Sequence, residues 1–287
     1  MTNVDELSAE TAVKPRPEDA VRIQAGAYFL ELSLDWIVLR ASENIHRLLG
    51  EYHVTLIDEP LGRFVQSQAL HDLRNLFSRL SGTTGVGRAY AVRLTDDPDR
   101  FDIAFQQSDG RVLLEATPSA GSYGEAFGTV GGLIAGLANS HGHALLEGAA
   151  RRMRALTGYD RVTLVCGNDR AESSRGAFAA PADMAADVPA IVTDSEAPAV
   201  SIFPRDEGET SAAAALMRSP AGMTGVRASM RVPFNVDDLR GEFRCESRTP
   251  REPSFELHAA AELFAQLFAM RLEIDQLRAP AQAGAQS

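Results

Sequence analysis

Apolar positions along the chain switch between a period of two and a period near 3.6, and the switches mark its elements. GAYFLELS (26–33) and DWIVLRAS (35–42) are apolar, β-prone runs on either side of Leu34–Asp35, which predicts a hairpin. A short helix then starts at Ser42 and runs through ENIHRLLG to a stop at Gly50. From Pro60 to Leu80 the residues Leu61, Phe64, Val65, Leu70, Leu73, Leu76, Phe77 and Leu80 recur at helical spacing, predicting one or two amphipathic helices. Period two returns in RAYAVRL (88–94), RFDIAFQQ (100–107) and RVLLEATP (111–118), separated by the turn signals TDDPD and SDG. After Tyr123 the pattern predicts one long helix that continues through HALLEGAARRMRALTG to Gly158. Gly128, Gly131, Gly132 and Gly136 each weaken it by about 1 kcal/mol relative to Ala.

A second α+β unit begins with the strand YDRVTLVC (159–166). RASMRVPFNV (227–236) and LRGEFRCES (239–247) form a hairpin about Asp237–Asp238, and Pro253 opens a terminal helix. Residues 167–225, rich in Ala, Ser, Pro, Asp and Glu, predict short elements and loops, and residues 1–20 read as a mobile arm. The length of 287 residues fits two domains.

Composition narrows the class. With 28 Lys+Arg against 39 Asp+Glu, a net charge of −11 and no basic run, the footprint of a nucleic-acid binder is missing. Cys166 and Cys245 are too few for a disulfide framework and too far apart for a CxxC motif, so they read as buried strand thiols in a reducing cytoplasm. The polar start MTNVDELSAETAVKPRPEDA lacks the apolar core of a secretory signal, and Val130–Ala138 is too short to span a membrane. A soluble, cytoplasmic protein is the expectation.

Candidate chemistry is sparse. GTTGVGR (82–88) precedes a strand and lacks the Lys–Ser/Thr ending of a phosphate loop, so it reads as a flexible turn. The glycines of GTVGGLIAG (128–136) read as sites of close helix packing. His141 and His143 have no partner set at metal-ligand spacing and read as solvated helix residues. No nucleophilic constellation emerges, the Asp and Glu residues read as surface charge, and no enzyme is predicted. The terminal helix carries more information: Leu263, Leu267, Met270, Ile274 and Leu277 repeat at the spacing of a coiled-coil seam. Phe264 and Phe268 widen the stripe, so one side would pack on its own sheet and another on a partner copy, with Glu262, Arg271, Glu273, Asp275 and Arg278 as the polar rim. A purely intramolecular helix is the competing reading.

Two strands, helices, then three antiparallel strands is the order of a PAS domain, and specific strings extend the likeness. IQAGAYFLEL (23–32), ASENIHRLLG (41–50) and FDIAFQQSDGRVLLEATP (101–118) resemble the PAS half of the bacteriophytochrome photosensory core. LTGYDRVTLV (156–165) and GVRASM (225–230) resemble its GAF domain, and AAELFAQLFAMRLE (260–273) its terminal helix. The resemblance implies an α+β chain of tandem PAS and GAF domains, each an antiparallel sheet flanked by helices, with a long C-terminal helix. Its implied parts are an arm (1–20), a PAS domain (21–122), a GAF domain with linker and terminal helices (123–279), and a disordered tail (280–287). It also implies a figure-of-eight crossing in which Val21–Ala25 passes through a loop drawn from about Ser195–Met223.

The sequence departs from that family where its bilin would sit. Residues 1–30 hold no attachment cysteine, and the alternative attachment stretch reads RSPAGMTG (218–225). PADMAADVPA (181–190) echoes the motif that sets an aspartate carbonyl over the pyrrole nitrogens, with Asp183 out of register. A histidine pair of the last strand is replaced in Cys245–Glu246–Ser247, aromatics are replaced in Val165–Cys166–Gly167, and Arg218 alone matches an arginine that pairs with a bilin propionate. Burying a tetrapyrrole with unmatched polar groups is costly. No cofactor is therefore expected, and the implied function is a phytochrome-like signalling module working through homodimerisation and a partner signalling protein. The alternatives are a photoreceptor holding biliverdin non-covalently and a sensor of another small ligand.

Overall fold

The computed structural model describes residues 22–80, 86–108, 110–119, 124–178, 191–204, 225–236 and 239–284. Among them the chain forms twelve strands, arranged in two antiparallel sheets, and six α-helices. The predicted hairpin is β2 (Tyr28–Ser33) and β3 (Val38–Ser42). The three later runs are β4 (Gly87–Val92), β5 (Phe101–Ser108) and β6 (Arg111–Pro118), and the five strands lie in the order β3-β2-β6-β5-β4. Leu30, Leu32, Ile103, Phe105, Val112 and Leu114 cover one face of this sheet. They pack with Leu73 of α3 (Ser67–Leu80) and with the short helices α1 (His46–Leu49) and α2 (His53–Leu56). Because side chains alternate across a strand, Phe29, Ala104 and Leu113 point the other way and join the core of the second sheet.

The second sheet has the order β8-β7-β12-β11-β9, from β7 (Arg161–Cys166), β8 (Asp169–Ser174), β9 (Ile191–Val192), β11 (Ala228–Val236) and β12 (Leu239–Ser247). The helices α4 (Glu125–Ala135), α5 (Gly142–Thr157) and α6 (Phe255–Gly284) accompany it. Phe243 sits at the centre of a ring cluster, with Phe234 and Phe268 each at 5.4 Å and Phe264 at 6.0 Å between centroids. Each buried phenyl contributes on the order of 1.5–3 kcal/mol.

The two sheets interleave along the chain. β10 (Val200–Phe203) leaves the second unit to pair with β3, and β1 (Arg22–Ile23) pairs with the far side of β10. Arg22 faces Ser201 and Ile23 faces Val200, so the start of the described chain lies on a strand of the second unit. Gln24 then reaches into the second sheet: its Nε2 donates to the Ile191 carbonyl at 2.6 Å, while its Oε1 accepts from the Thr193 N–H at 2.6 Å and the Thr193 hydroxyl at 2.8 Å. The segment expected to cross the second unit is thus seated on it. Residues 205–223, most of the expected encircling loop, lie outside the described residues, as do the arm 1–20 and residues 82–85 of the expected turn.

Four expectations are corrected. The single helix after Tyr123 is two helices, broken between Ala135 and Gly142. Gly142 takes φ +52, and Arg271 donates to the carbonyls of Ala138 and Ser140, which fixes the turn. The close packing expected at the glycines holds only for Gly136, where a Cβ would meet Arg152 at 2.6 Å; Gly128, Gly131 and Gly132 face open space. The acidic residues are not all surface charge, since Glu31, Asp102, Glu115, Glu246 and Glu256 are buried. Glu31, for example, is held by Arg40 and Arg111. Finally, α6 runs to Gly284 rather than ending at residue 279: Ala279, Ala281 and Ala283 favour the last turns, although Pro280 within them supplies no backbone N–H.

Candidate functional site

The second sheet has one apolar and one polar face, set by the period of two. Val162, Leu164, Cys166, Met230, Val232, Phe243 and Cys245 point into the core with α5 and α6. The intervening positions carry Arg161 and Thr163 on β7, Ser229 and Arg231 on β11, and Glu242, Arg244 and Glu246 on β12. Register sets Glu246 beside both Arg161 and Ser229, and Arg244 beside both Thr163 and Arg231. The result is a lattice of ion pairs. Arg161 Nε lies 2.5 Å from Glu246, with both side chains almost wholly buried. Glu242 binds Arg231 at 2.5 Å and Arg244 at 2.6 Å, one with each carboxylate oxygen. Phe178 lies between two guanidinium groups, those of Arg161 and Arg248, each 4.5 Å from its ring centroid. Between these pairs the Thr163 hydroxyl is buried and has no hydrogen-bond partner among the described residues.

At the edge of this face Asp194 receives two 2.8 Å bonds from Arg227. That guanidinium, rather than burial, decides the state of the carboxyl and holds it below the usual carboxylate range. Ser195 donates to the Val226 carbonyl at 2.8 Å, so the chain leaving β9 is tied to the chain entering β11.

Asp183 and Arg218 both lie outside the described residues. In the Cys245–Glu246–Ser247 string, Cys245 points into the core, where burial pushes its thiol up to about 12. Glu246 pairs with Arg161, and the Ser247 hydroxyl donates to Asp160 at 3.3 Å. Cys166 is also buried, its thiol pushed up first by burial and then by Asp169. His141 is more than a solvated residue: it lies 2.5 Å from Asp275 of α6, whose other oxygen accepts from the Gly142 N–H at 2.8 Å. No cluster of three metal-ligating side chains occurs among the described residues.

The terminal helix presents two faces. Phe264, Phe268 and Leu272 are buried against the second sheet, while Leu263, Met270, Ile274 and Leu277 are exposed, Leu277 by 71%. Leu267 departs from the expected outward stripe, because it is half-buried against its own core. The rim is smaller than expected for the same reason: Glu262 is held by Arg88, and Arg271 and Asp275 are held by the α4–α5 turn. Glu273 and Arg278 remain to flank the apolar positions.

No protein-family model and no curated protein matches the chain. Solved structures do. The chromophore-binding domain of an unusual bacteriophytochrome, RpBphP3 from R. palustris, is 22% identical with a TM-score of 0.71, over 92% of this chain and 98% of that one. The chromophore-binding domain of Stigmatella aurantiaca phytochrome P1 is 21% identical with a TM-score of 0.68, over 88% and 95%. The chain has the fold of a bacteriophytochrome chromophore-binding domain. Against the longer photosensory core module of the Stigmatella protein the TM-score is 0.72 at 20% identity, and the chain spans 61% of that structure.

Within this fold the polar lattice was not anticipated by sequence reading. Arg161, Glu242, Arg244 and Glu246 sit at alternate strand positions, which was the available signal, but alternation alone reads as a solvated face. The same holds for Arg88, His258 and Glu262, which come from segments 170 residues apart and meet between β4 and α6. Among the described residues no helix is long and apolar enough to cross a membrane.

Proposed function

We propose that the chain is a tandem PAS–GAF sensory module that carries no bilin, performs no catalysis, and signals through homodimerisation and contact with a partner signalling protein in the cytoplasm. The PAS unit would take residues 21–122 and the GAF unit 123–279. The observation that carries the bilin-free reading is the Arg161–Glu246 pair, buried on the polar face of the second sheet at 2.5 Å. Glu246 stands where the resemblance implies a chromophore-contacting histidine, and its charge is already neutralised within the protein. A bilin seated there would have to break a buried ion pair and leave its own nitrogens unmatched. Neither thiol supports covalent attachment, since both are buried and pushed away from the reactive thiolate. Association is supported by the exposed Leu263, Met270, Ile274 and Leu277, which form a self-complementary stripe when two α6 helices pair about a two-fold axis.

The experiment is an absorption spectrum of the protein produced together with biliverdin. No red band and no light-driven difference spectrum are expected. A stable, photoconvertible red or far-red band would overturn the bilin-free reading and favour non-covalent biliverdin. One observation favours a second reading, a sensor of another small ligand: on the same face the buried Thr163 hydroxyl lacks a partner among the described residues, as a residue awaiting a polar ligand would.

A further inference from the structure

His258 lies near the start of α6, buried where β4, β11 and α6 meet. Its Nε2 is 3.3 Å from the Arg231 carbonyl, which only accepts, and its Nδ1 is 3.1 Å from Arg88 Nη2, which only donates. Both neighbours are satisfied by one state alone, the neutral imidazole with its proton on Nε2. Arg88 also donates to both oxygens of Glu262, at 2.7 and 3.1 Å, one turn along α6. Glu262 Oε1 is itself only 3.5 Å from His258 Nδ1. One carboxylate therefore stands within reach of two basic groups, of which Arg88 is charged and His258 is neutral.

We propose that Glu262 is a proton-switched carboxylate: neutral His258 leaves it to Arg88, and protonated His258 takes it and releases the edge strand β4 from α6. A proton on Nδ1 would turn the acceptor facing Arg88 into a second donor and a second positive charge, so the 3.1 Å contact could not persist. The new N–H would find its acceptor in Glu262 Oε1, and Arg88, whose side chain keeps a path to solvent, would swing outward. The charged groups facing His258 are Arg88 from β4 and Glu262 from its own helix; from β11 it meets the Arg231 carbonyl, while the Arg231 side chain is engaged with Glu242. Burial lowers the histidine first, Glu262 opposes it, and Arg88 lowers it further, for a net shift below the ordinary value. The clasp is therefore closed at neutral pH and opens on acidification. Glu262 directly precedes Leu263, so opening frees the helix beside its exposed stripe. The switch does not depend on the proposed dimer.

The test uses the intact protein and two measurements across pH 5–7.5: NMR titration of the His258 ring, and hydrogen exchange of the Arg88–Val92 amides corrected for the intrinsic rate. His258 is expected to titrate below ~6.5. The opening constant of β4 is expected to rise about tenfold per pH unit below that value, until the folded state itself takes up the proton. H258Q, which stays neutral, should give a flat profile, and R88M should raise opening at every pH while moving the histidine titration upward. A wild-type His258 that titrates at or above the ordinary value overturns the proposal, whether or not H258Q folds. So does the same β4 profile in wild type and H258Q.

Discussion

Gln24→Ala is the sharpest test of how the N-terminal strand is joined to the second sheet. The side-chain amide of Gln24 acts as an extra peptide group on the edge of β9, giving one hydrogen bond and accepting two, all between 2.6 and 2.8 Å. Gln24 is 2% exposed, so truncation leaves the Ile191 carbonyl and the Thr193 N–H and hydroxyl without partners in a dry setting. Each buried polar group left unmade costs about 1–3 kcal/mol. Rotation of the Thr193 hydroxyl toward another acceptor and entry of one water would recover part of that, which puts the expected loss at about 3–4 kcal/mol. Urea unfolding followed by the fluorescence of Trp36, buried in the core against the first sheet, would measure it. Circular dichroism would follow both sheets. Gln24→Glu should be at least as damaging, since it keeps the acceptor, loses the donor to Ile191 and buries a charge. A loss below about 1 kcal/mol for Gln24→Ala would refute the reasoning, because it would mean that the backbone of β9 is satisfied without this side chain.

Replacing Ile274 and Leu277 together by Asp should give a folded monomer where the unmodified protein is a dimer by light scattering at tens of micromolar; an unmodified monomer, or a variant that still dimerises, would count against the α6 seam. In the buried pair, Arg161→Met alone should cost about 3–5 kcal/mol in denaturant unfolding by stranding Glu246, and adding Glu246→Leu should restore most of it. Acid titration should expose the α5–α6 clasp at Asp275. Burial pushes its carboxyl up, but the Gly142 N–H, His141 and Arg271 together outweigh that and leave it below the ordinary value. The clasp thus adds stability in full above the unfolded carboxylate pKa, near ~4, and loses it as pH falls through the lower folded value. Asp275→Asn should flatten that part of the stability profile measured by thermal unfolding between pH 2 and 5.

Much of the secondary structure was legible because it is local. Gly50 and Gly158 stop their helices in the left-handed conformation that glycine favours, and the strand runs alternate at the period their sheets require. The two-sided character of α6 was readable too, since Phe264 and Phe268 lie a third of a turn round the helix from Leu263 and Met270. Long-range pairing was not. Nothing in VSIF marks it as the strand joining β1 to β3, because edge pairing is chosen by backbone groups that every residue carries. The break between α4 and α5 depends on Arg271, more than 130 residues away, holding the turn's carbonyls. The charges of the second sheet and of the Arg88–His258–Glu262 cluster follow the same rule. A sequence declares that a side chain is ionisable, but its partner, its burial and therefore its protonation state depend on what the tertiary fold brings within about 4 Å of it.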